Sequence, residues 1–194
     1  ASSASELIAE MMQYIREGIK AKPIEADCMY GGIVIDTREF TNQTGVRTFE
    51  AAAYLRRCGA DIVRIRKIFR EDFSDYQAKA HAISAADIYR NAFALSSVER
   101  AGSESPTVLC AKAANELLNI RGIKASVVLT KVEDTVFLSA RSIDEVNVQV
   151  LMEKLGGGGH RTVAGAQIQN STVEECIQKV KAAIDEMIEE GEVE

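Results

Sequence analysis

The sequence predicts an α/β protein, with a mostly helical N-terminal part followed by a domain that contains strands. Two observations carry this prediction. Apolar residues recur at helical spacing through much of residues 1–87, and β-rich runs alternate with helical runs from Ile88 onward. We divide the 194 residues into a first domain over residues 1–72, a connector helix over residues 73–87 and a second domain over residues 88–194.

The composition is that of a globular protein and restricts the classes of partner. Hydrophobic residues make up 46% of the chain and charged residues 27%. The net charge of −6 argues against a long nucleic-acid partner, which requires a basic face, but it allows a small phosphorylated ligand. No apolar run approaches the about 18 residues of a membrane span, and no signal peptide is evident, so we expect a cytoplasmic chain.

Four cysteines lie far apart in the sequence and form no C-x-x-C pair. We interpret them as reduced thiols rather than as a zinc site or a disulfide set. The residues are Cys28, Cys58, Cys110 and Cys176.

The first part reads as a series of amphipathic helices. Residues 24–36 are ambiguous, because Ile33-Val34-Ile35 resembles a strand end, but we favour a helix there. The other helices are expected over residues 4–19 behind a capping box of Ser3 and Glu6, over residues 49–58 behind Thr48, and after Asp61.

The second part mixes helices and strands. We expect a hairpin from residues 123–130 and 136–140, joined by a polar turn at Glu133 and Asp134. The remaining expectations are a connector helix capped by Ser74, a strand over residues 89–98, a loop to Ser105, a helix from Pro106 to about Asn119, a helix over residues 144–155, a strand over residues 166–169 and a last helix behind Ser171 and Glu174.

Four consecutive glycines, residues 156–159, followed by His160, are the most informative stretch of the chain. Glycine loses the most backbone entropy on folding, so the fold must require its freedom there. One interpretation is that the run only ends a helix. The other is that the backbone closely approaches an anion, with its N–H groups directed at that anion and His160 beside it as a donor.

Arg141 precedes a sequence that is typical of a helix start. Ser142 and Glu145 have the spacing of a capping box, which predicts that Arg141 lies beside a helix N-terminus that favours anions. Together with the glycine run and His160, Arg141 would form a phosphate site. The alternative is that Arg141 is a solvated surface charge.

Three residues in the first part are further candidates. Asp36 ends an apolar run, and it is either a ligand of a hard cation such as Mn²⁺ or the N-cap of the next element. Thr37 follows it directly. Arg47 stands before the helix that we expect from residue 49, where it could meet a phosphate or be a plain surface charge.

The run Gly156 to His160, the word Ser-Ala-Arg-Ser ending at Ser142 and the segment from Asn147 to Val150 resemble the substrate-binding domain of the DHH/DHHA1 phosphoesterases. The likeness is strongest to the bacterial cyclic-di-AMP phosphodiesterases of the GdpP type. Residues 32–37 also resemble the fourth DHH motif, whose aspartate binds a catalytic metal and corresponds to Asp36.

The resemblance implies a fold, a cofactor and roles for individual residues. It implies a remnant of a DHH domain followed by a DHHA1 α/β domain with a mixed sheet, and two Mn²⁺ ions in the longer protein. Substrate-binding roles follow by resemblance for Arg141 and His160 on a phosphate or base edge, for Ser142 and the N–H groups of Gly157, Gly158 and Gly159 on phosphate oxygens, and for Asn147 on the nucleobase.

The sequence lacks most of the metal ligands that this chemistry requires. It contains no Asp-His-His word, and Asp36 alone remains of the family's ligand set. A two-metal site requires several carboxylates and histidines. We therefore expect a piece of a longer manganese-dependent phosphodiesterase that opens cyclic-di-AMP, and we expect the piece to bind nucleotide without hydrolysing it. Any membrane anchor of the longer protein would lie in regions outside this chain.

Other functions remain open at this point. The same superfamily includes short-oligoribonucleotide nucleases and phosphatases of adenosine bisphosphate, so the partner is a cyclic dinucleotide or a short oligonucleotide. A non-catalytic RNA-binding DHHA1 module is an alternative of a different class, which the net charge of −6 disfavours. A homodimer is one assembly that the sequence leaves open.

Overall fold

The protein is described by a computed structural model that covers residues 1–15, 18, 20–99 and 105–192. It consists of two compact units, Ala1–Arg70 and Glu71–Glu194. The stretch that we expected to be a connector, residues 73–87, belongs to the second unit. Part of the predicted loop over residues 99–105 lies outside the described residues.

The first unit is helical throughout its described secondary structure. Its small core is built largely from alanines, with Ile33 and Leu55 as its fully buried large side chains. The ambiguous segment is a helix, so that prediction is confirmed. The helices are α1 (Ala4–Ile15), α2 (Pro23–Asp36), α3 (Val46–Arg57) and α4 (Ile62–Ile68).

Thr48 does not cap α3, so that prediction is wrong. The helix begins three residues earlier than predicted, at Val46, with Gly45 as its N-cap. Thr48 is buried inside the first turn, where its hydroxyl donates a hydrogen bond to the Glu6 carboxylate at 2.9 Å. A buried carboxylate requires such a partner. Thr48 is therefore fixed by a contact with α1 that the local sequence does not reveal.

The second unit is a six-stranded mixed sheet with helices on both faces, which confirms the α/β class. The strand order is β1-β2-β3-β4-β6-β5, and β2 and β3 are parallel while the other neighbours are antiparallel. Its elements are α5 (Phe73–Ser84), β1 (Asp87–Tyr89), β2 (Phe93–Ser97), α6 (Pro106–Leu117), β3 (Ala125–Val132), β4 (Thr135–Ser142), α7 (Val148–Glu153), β5 (Gly158–His160), β6 (Val163–Gln169) and α8 (Val173–Glu189).

The two faces of the sheet differ in how far helices cover them. On one face, the core side chains of β2, β3, β4 and β6 pack against α7 and α8. On the other face, α6 packs on β3 and β4, and its buried side chains contact Ala94 and Val128. Strand β4 alternates between buried and half-buried residues, and β6 alternates in a similar way. The less buried residues of both strands form what we call the open face.

Several predicted boundaries in this unit are wrong. The predicted strand over residues 89–98 is two strands, because Arg90 and Asn91 both have positive φ angles, of 51° and 58°, and turn the chain into a hairpin. The connector helix has Asp72 rather than Ser74 at its N-cap position and ends at Ser84. The capping box of α8 is Thr172 and Glu175, one residue later than predicted.

Candidate functional site

The glycine run divides into residues with different structural roles. Gly156 has a φ angle of 77° and directly follows the last turn of α7. The N–H group of Gly157 donates to the carbonyl oxygen of Met152 at 2.8 Å, and that of Gly156 donates to Glu153 at 3.0 Å. This is how a helix commonly ends. The simpler interpretation of the run therefore applies to its first two residues.

Gly157 and Gly159 are glycines because strand β6 lies against them. A Cβ atom on Gly157 would lie 2.2 Å from the carbonyl oxygen of Gly165, and one on Gly159 would lie 2.5 Å from the Cα atom of Ala164. The predicted close approach of the backbone is therefore made to a neighbouring strand. Sequence reasoning missed this strand, β5, because glycine is uncommon in strands.

Gly158 is different, because a Cβ atom there would meet no other atom within 4 Å. Its backbone also lies outside the left-handed region that favours glycine. Neither packing nor conformation within the described chain therefore requires glycine at this position. The space above Gly158 opens onto the open face of the sheet.

Arg141 and His160 lie in one row across three strands. Arg141 pairs with Val163 in the β4–β6 ladder, and Val163 pairs with His160 in the β5–β6 ladder. Directly opposite residues share a face, and two strand spacings separate Cα atoms by about 10 Å. A guanidinium and an exposed imidazole thus flank one end of the open face. The structure brings together these two predicted residues.

No helix begins directly after Arg141, so the predicted capping box of Ser142 and Glu145 is wrong. Helix α7 begins only at Val148, and its N-cap is Asn147, whose Oδ1 atom accepts from the N–H group of Gln149 at 3.2 Å. The Arg141 guanidinium is half-buried and donates to the carbonyl oxygen of Ala140 at 2.8 Å. This contact holds the guanidinium near the end of β4.

Ser142 faces away from Arg141, because adjacent residues of a strand point to opposite faces. Its side chain is buried, and its hydroxyl donates to the carbonyl oxygen of Val146 at 2.6 Å. Ser139, which is not among the predicted site residues, lies on the Arg141 face opposite Gly165. The alternation within the word Ser-Ala-Arg-Ser could have identified it, had the segment been treated as a strand to its last residue.

The loop before α7 is bonded to the turn between β5 and β6. The backbone N–H group of Val148 donates to the carbonyl oxygen of Arg161 at 2.9 Å, and that of Ser142 donates to Thr162 at 3.1 Å. The Arg161 side chain forms an ion pair with Asp144, with Nε and Oδ1 2.5 Å apart. These bonds fix the backbone of the turn that follows His160.

A groove of about 520 Å³ continues along the open face from this row. Two rows of the sheet form its floor. Ser139 pairs with Gly165, which pairs with Gly158, and Phe137 pairs with Gln167. The lining residues are Phe137, Leu138, Ser139, Gly156, Gly157, Gly158, Gly165, Ala166 and Gln167.

The first-unit candidates do not form a comparable site. Asp36 is exposed as the last residue of α2, and no helix follows directly for it to cap. The buried Thr37 hydroxyl donates to the carbonyl oxygen of Ile33 at 2.7 Å and accepts from the N–H group of Phe40 at 3.0 Å. Its hydrogen-bonding capacity is therefore used to end α2.

Arg47 is engaged by a carboxylate of its own unit. Its Nε atom donates to Glu10 Oε1 at 2.7 Å, and this hydrogen bond holds the pKa of Glu10 below its ordinary value. The pair is largely exposed on the arginine side. This ion pair connects α3 to α1.

The described residues do not fit a two-metal centre. Within residues 1–15, 18, 20–99 and 105–192, no group of three or more histidine, cysteine, aspartate or glutamate side chains could hold a metal ion. Asp36 is a single exposed carboxylate. A pair of catalytic ions would require further ligands.

Comparison with known proteins identifies the family. Residues 93–190 match the DHHA1 domain, and this match spans strands β2 to β6, the glycine run and α8. The chain belongs to the DHHA1 domain family. The predicted resemblance is thereby confirmed for the part of the chain that carries the Arg141–His160 row.

Relatives match nearly the whole chain. It is 44% identical over 195 residues to the cyclic-di-AMP phosphodiesterase GdpP of Geobacillus thermodenitrificans, and 39% identical over 186 residues to the cyclic-di-AMP phosphodiesterase PdeA of Listeria monocytogenes. These matches cover 98% and 95% of this chain but only 29% and 28% of the relatives. The chain thus spans less than a third of the length of these phosphodiesterases.

A solved structure shares the fold. An exopolyphosphatase-related protein from Bacteroides fragilis superposes with a TM-score of 0.84 at 22% identity, covering 96% of this chain and 57% of the other.

Among the residues that our structure describes, no helix combines the length and the apolar character needed to cross a bilayer.

Proposed function

We propose that this DHHA1 chain is the substrate-binding part of a metal-dependent phosphodiesterase that hydrolyses cyclic-di-AMP to a linear dinucleotide. The single observation that carries the proposal is the Arg141–Val163–His160 row beside Gly158, a glycine that nothing in the described chain requires. The two relatives named above are cyclic-di-AMP phosphodiesterases, which supports the same substrate class.

The chemistry of the row suits a phosphodiester. Arginine presents a planar set of donors that matches phosphate oxygens, and it stays charged at all relevant pH values. An imidazole N–H group supplies a further donor on the opposite side. Because Gly158 carries no side chain, the phosphate and its sugar can approach the sheet backbone closely.

The other predicted residues have supporting roles in this proposal. Ser142 and Asn147 position the loop before α7 through their hydrogen bonds to Val146 and Gln149. Gly157 and Gly159 allow β5 to lie against β6, and β5 in turn places His160. We retain Asn147 as a contact to the nucleobase on resemblance alone.

The first unit, in this proposal, is the C-terminal part of a DHH domain, and it would supply Asp36 to a pair of Mn²⁺ ions whose other ligands lie outside this chain. The isolated 194-residue chain should therefore bind nucleotide and fail to hydrolyse it. Turnover of cyclic-di-AMP by this chain with Mn²⁺, at the rate of a complete relative, would contradict that assignment.

Calorimetric titration with a linear di-adenylate tests the binding role. We expect measurable affinity for the unmodified chain and a loss of about tenfold or more for Arg141→Ala and for His160→Ala, since each removes a charged or polar phosphate contact. The exposed Arg121 is a matched control, and Arg121→Ala should bind as the unmodified chain does. Equal affinity in all four proteins would overturn the proposal.

A further inference from the structure

The groove on the open face ends at an aromatic side chain and an amide that the proposed phosphate contacts do not use. Phe137 on β4 and Gln167 on β6 are directly opposite each other and both line the groove. Phe137 is half-buried and Gln167 is exposed. Opposite side chains on one face have Cβ atoms about 5 Å apart, so one ligand group can contact both.

This pair lies at a fixed distance from the Arg141–His160 row. Phe137 precedes Arg141 by four residues on the same strand, a separation of about 14 Å along the sheet. The row between them holds Ser139, Gly165 and Gly158, so no large side chain separates the two ends. A nucleotide with its phosphate at Arg141 would extend along the groove toward Phe137.

The chemistry of the pair matches a purine base. Nucleobases stack on aromatic rings, and Phe137 offers such a ring. Within the part of the chain that the structure describes, no other group forms a hydrogen bond with the side-chain amide of Gln167. A glutamine amide donates one hydrogen bond and accepts another along the N6 and N7 edge of adenine.

Guanine presents a different edge to the same amide. Its O6 and N7 atoms are both acceptors, so the carbonyl oxygen of Gln167 would face an acceptor and one hydrogen bond would be lost. We propose that Phe137 and Gln167 form the base-recognition end of the groove and that Gln167 selects adenine over guanine. This proposal rests on the proposed nucleotide-binding function of the same site.

The test compares linear di-adenylate with linear di-guanylate by calorimetric titration of the 194-residue chain. The unmodified chain should prefer the adenine dinucleotide by about tenfold, which corresponds to about 1.4 kcal/mol. Gln167→Ala should remove most of this preference by weakening adenine binding. Gln169→Ala is the matched control, since Gln169 is exposed on the same face of the same strand but does not line the groove, and it should keep the preference.

The variants separate failure of this inference from failure of the proposed function. If Arg141→Ala weakens both dinucleotides and Gln167→Ala leaves their ratio unchanged, the base-recognition role is overturned while the phosphate site stands. If the unmodified chain binds neither dinucleotide, both proposals are overturned. Because Gln167 is exposed, we expect the Gln167→Ala chain to unfold at the same temperature as the unmodified chain, which excludes loss of fold as the cause.

Discussion

At the scale of single residues, the four glycines of one run have separable causes. Gly157 and Gly159 lack side chains because β6 occupies the space, whereas the space above Gly158 is empty of protein atoms. A run that looks uniform in sequence therefore contains three positions needed for folding, since Gly156 has a φ angle of 77°, and one that we assign to binding. Substitution by alanine can distinguish these roles, since it adds a single methyl group.

Gly158→Ala should leave stability unchanged or raise it by about 0.5 kcal/mol, because alanine restricts the unfolded chain. The same variant should weaken di-adenylate binding about tenfold, since the methyl group enters the groove. Gly157→Ala should destabilise the chain by about 2 kcal/mol or more, because its Cβ atom would lie 2.2 Å from a carbonyl oxygen. Urea unfolding and calorimetry measure both effects.

The opposite pattern would count against the assignment. If Gly158→Ala binds di-adenylate as tightly as the unmodified chain does, then the open space above Gly158 is not used by the ligand. Phosphate binding would then have to be explained by Arg141 and His160 without a close approach to the β5 backbone.

At the scale of elements, the sequence predicts a turn or a helix end correctly where residues close together in the chain determine it. The hairpin of β3 and β4 turns at Glu133, which has a φ angle of 54°, and Asp61 caps α4 as expected, with Oδ1 accepting from the N–H group of Val63 at 2.9 Å. Both features depend on residues within a few positions of each other. The helix over residues 24–36 is less well defined by its local sequence, because Ile33-Val34-Ile35 also resembles a strand end.

Elements fixed by distant contacts were not predictable. Ser142 has the spacing of a capping residue, but its N–H group is taken by Thr162, twenty residues later, so β4 continues through it. The glycines of β5 have little strand propensity of their own, and they form a strand only because β6 lies beside them. The candidate site depends on both features. The sequence therefore indicated Arg141 and His160 as candidates, but not that they lie in one row across three strands.

Helices α5 and α6 are joined by a carboxylate that should make stability depend on pH. Glu71 contacts Lys79 Nζ at 2.6 Å and Lys112 Nζ at 3.2 Å. Burial alone would raise the pKa of Glu71, but the hydrogen bonds from both lysines outweigh it and hold the pKa below the ordinary value of 4.5. The contribution to stability is therefore full above pH 4.5 and is lost as the pH falls through the lowered pKa.

Glu71→Gln should cost about 1 kcal/mol of unfolding free energy at neutral pH, and this difference should shrink toward zero at strongly acidic pH. Urea unfolding of both proteins across the acidic range measures the difference. The exposed Glu145 supplies the control, and Glu145→Gln should show no such trend. A difference that grows as the pH falls would show that the lysines do not stabilise the Glu71 carboxylate.

At the scale of the whole molecule, the two units contribute differently to the proposed activity. The second unit carries a groove with a cationic and an aromatic end, whereas the first unit carries one exposed carboxylate of the expected metal set. The chain also spans less than a third of the phosphodiesterases it matches. Binding without hydrolysis is therefore the behaviour we expect of this chain.

The most direct test of the phosphate site is to map ligand contacts by nuclear magnetic resonance. Titration of the isotope-labelled chain with linear di-adenylate should shift the backbone amide signals of Ser139, Arg141, Gly158 and His160, because these residues line adjacent rows of one face. Signals of the α4 residues Arg66 and Lys67 should not move. Shifts confined to the first unit, or no shifts at saturating ligand, would contradict the account.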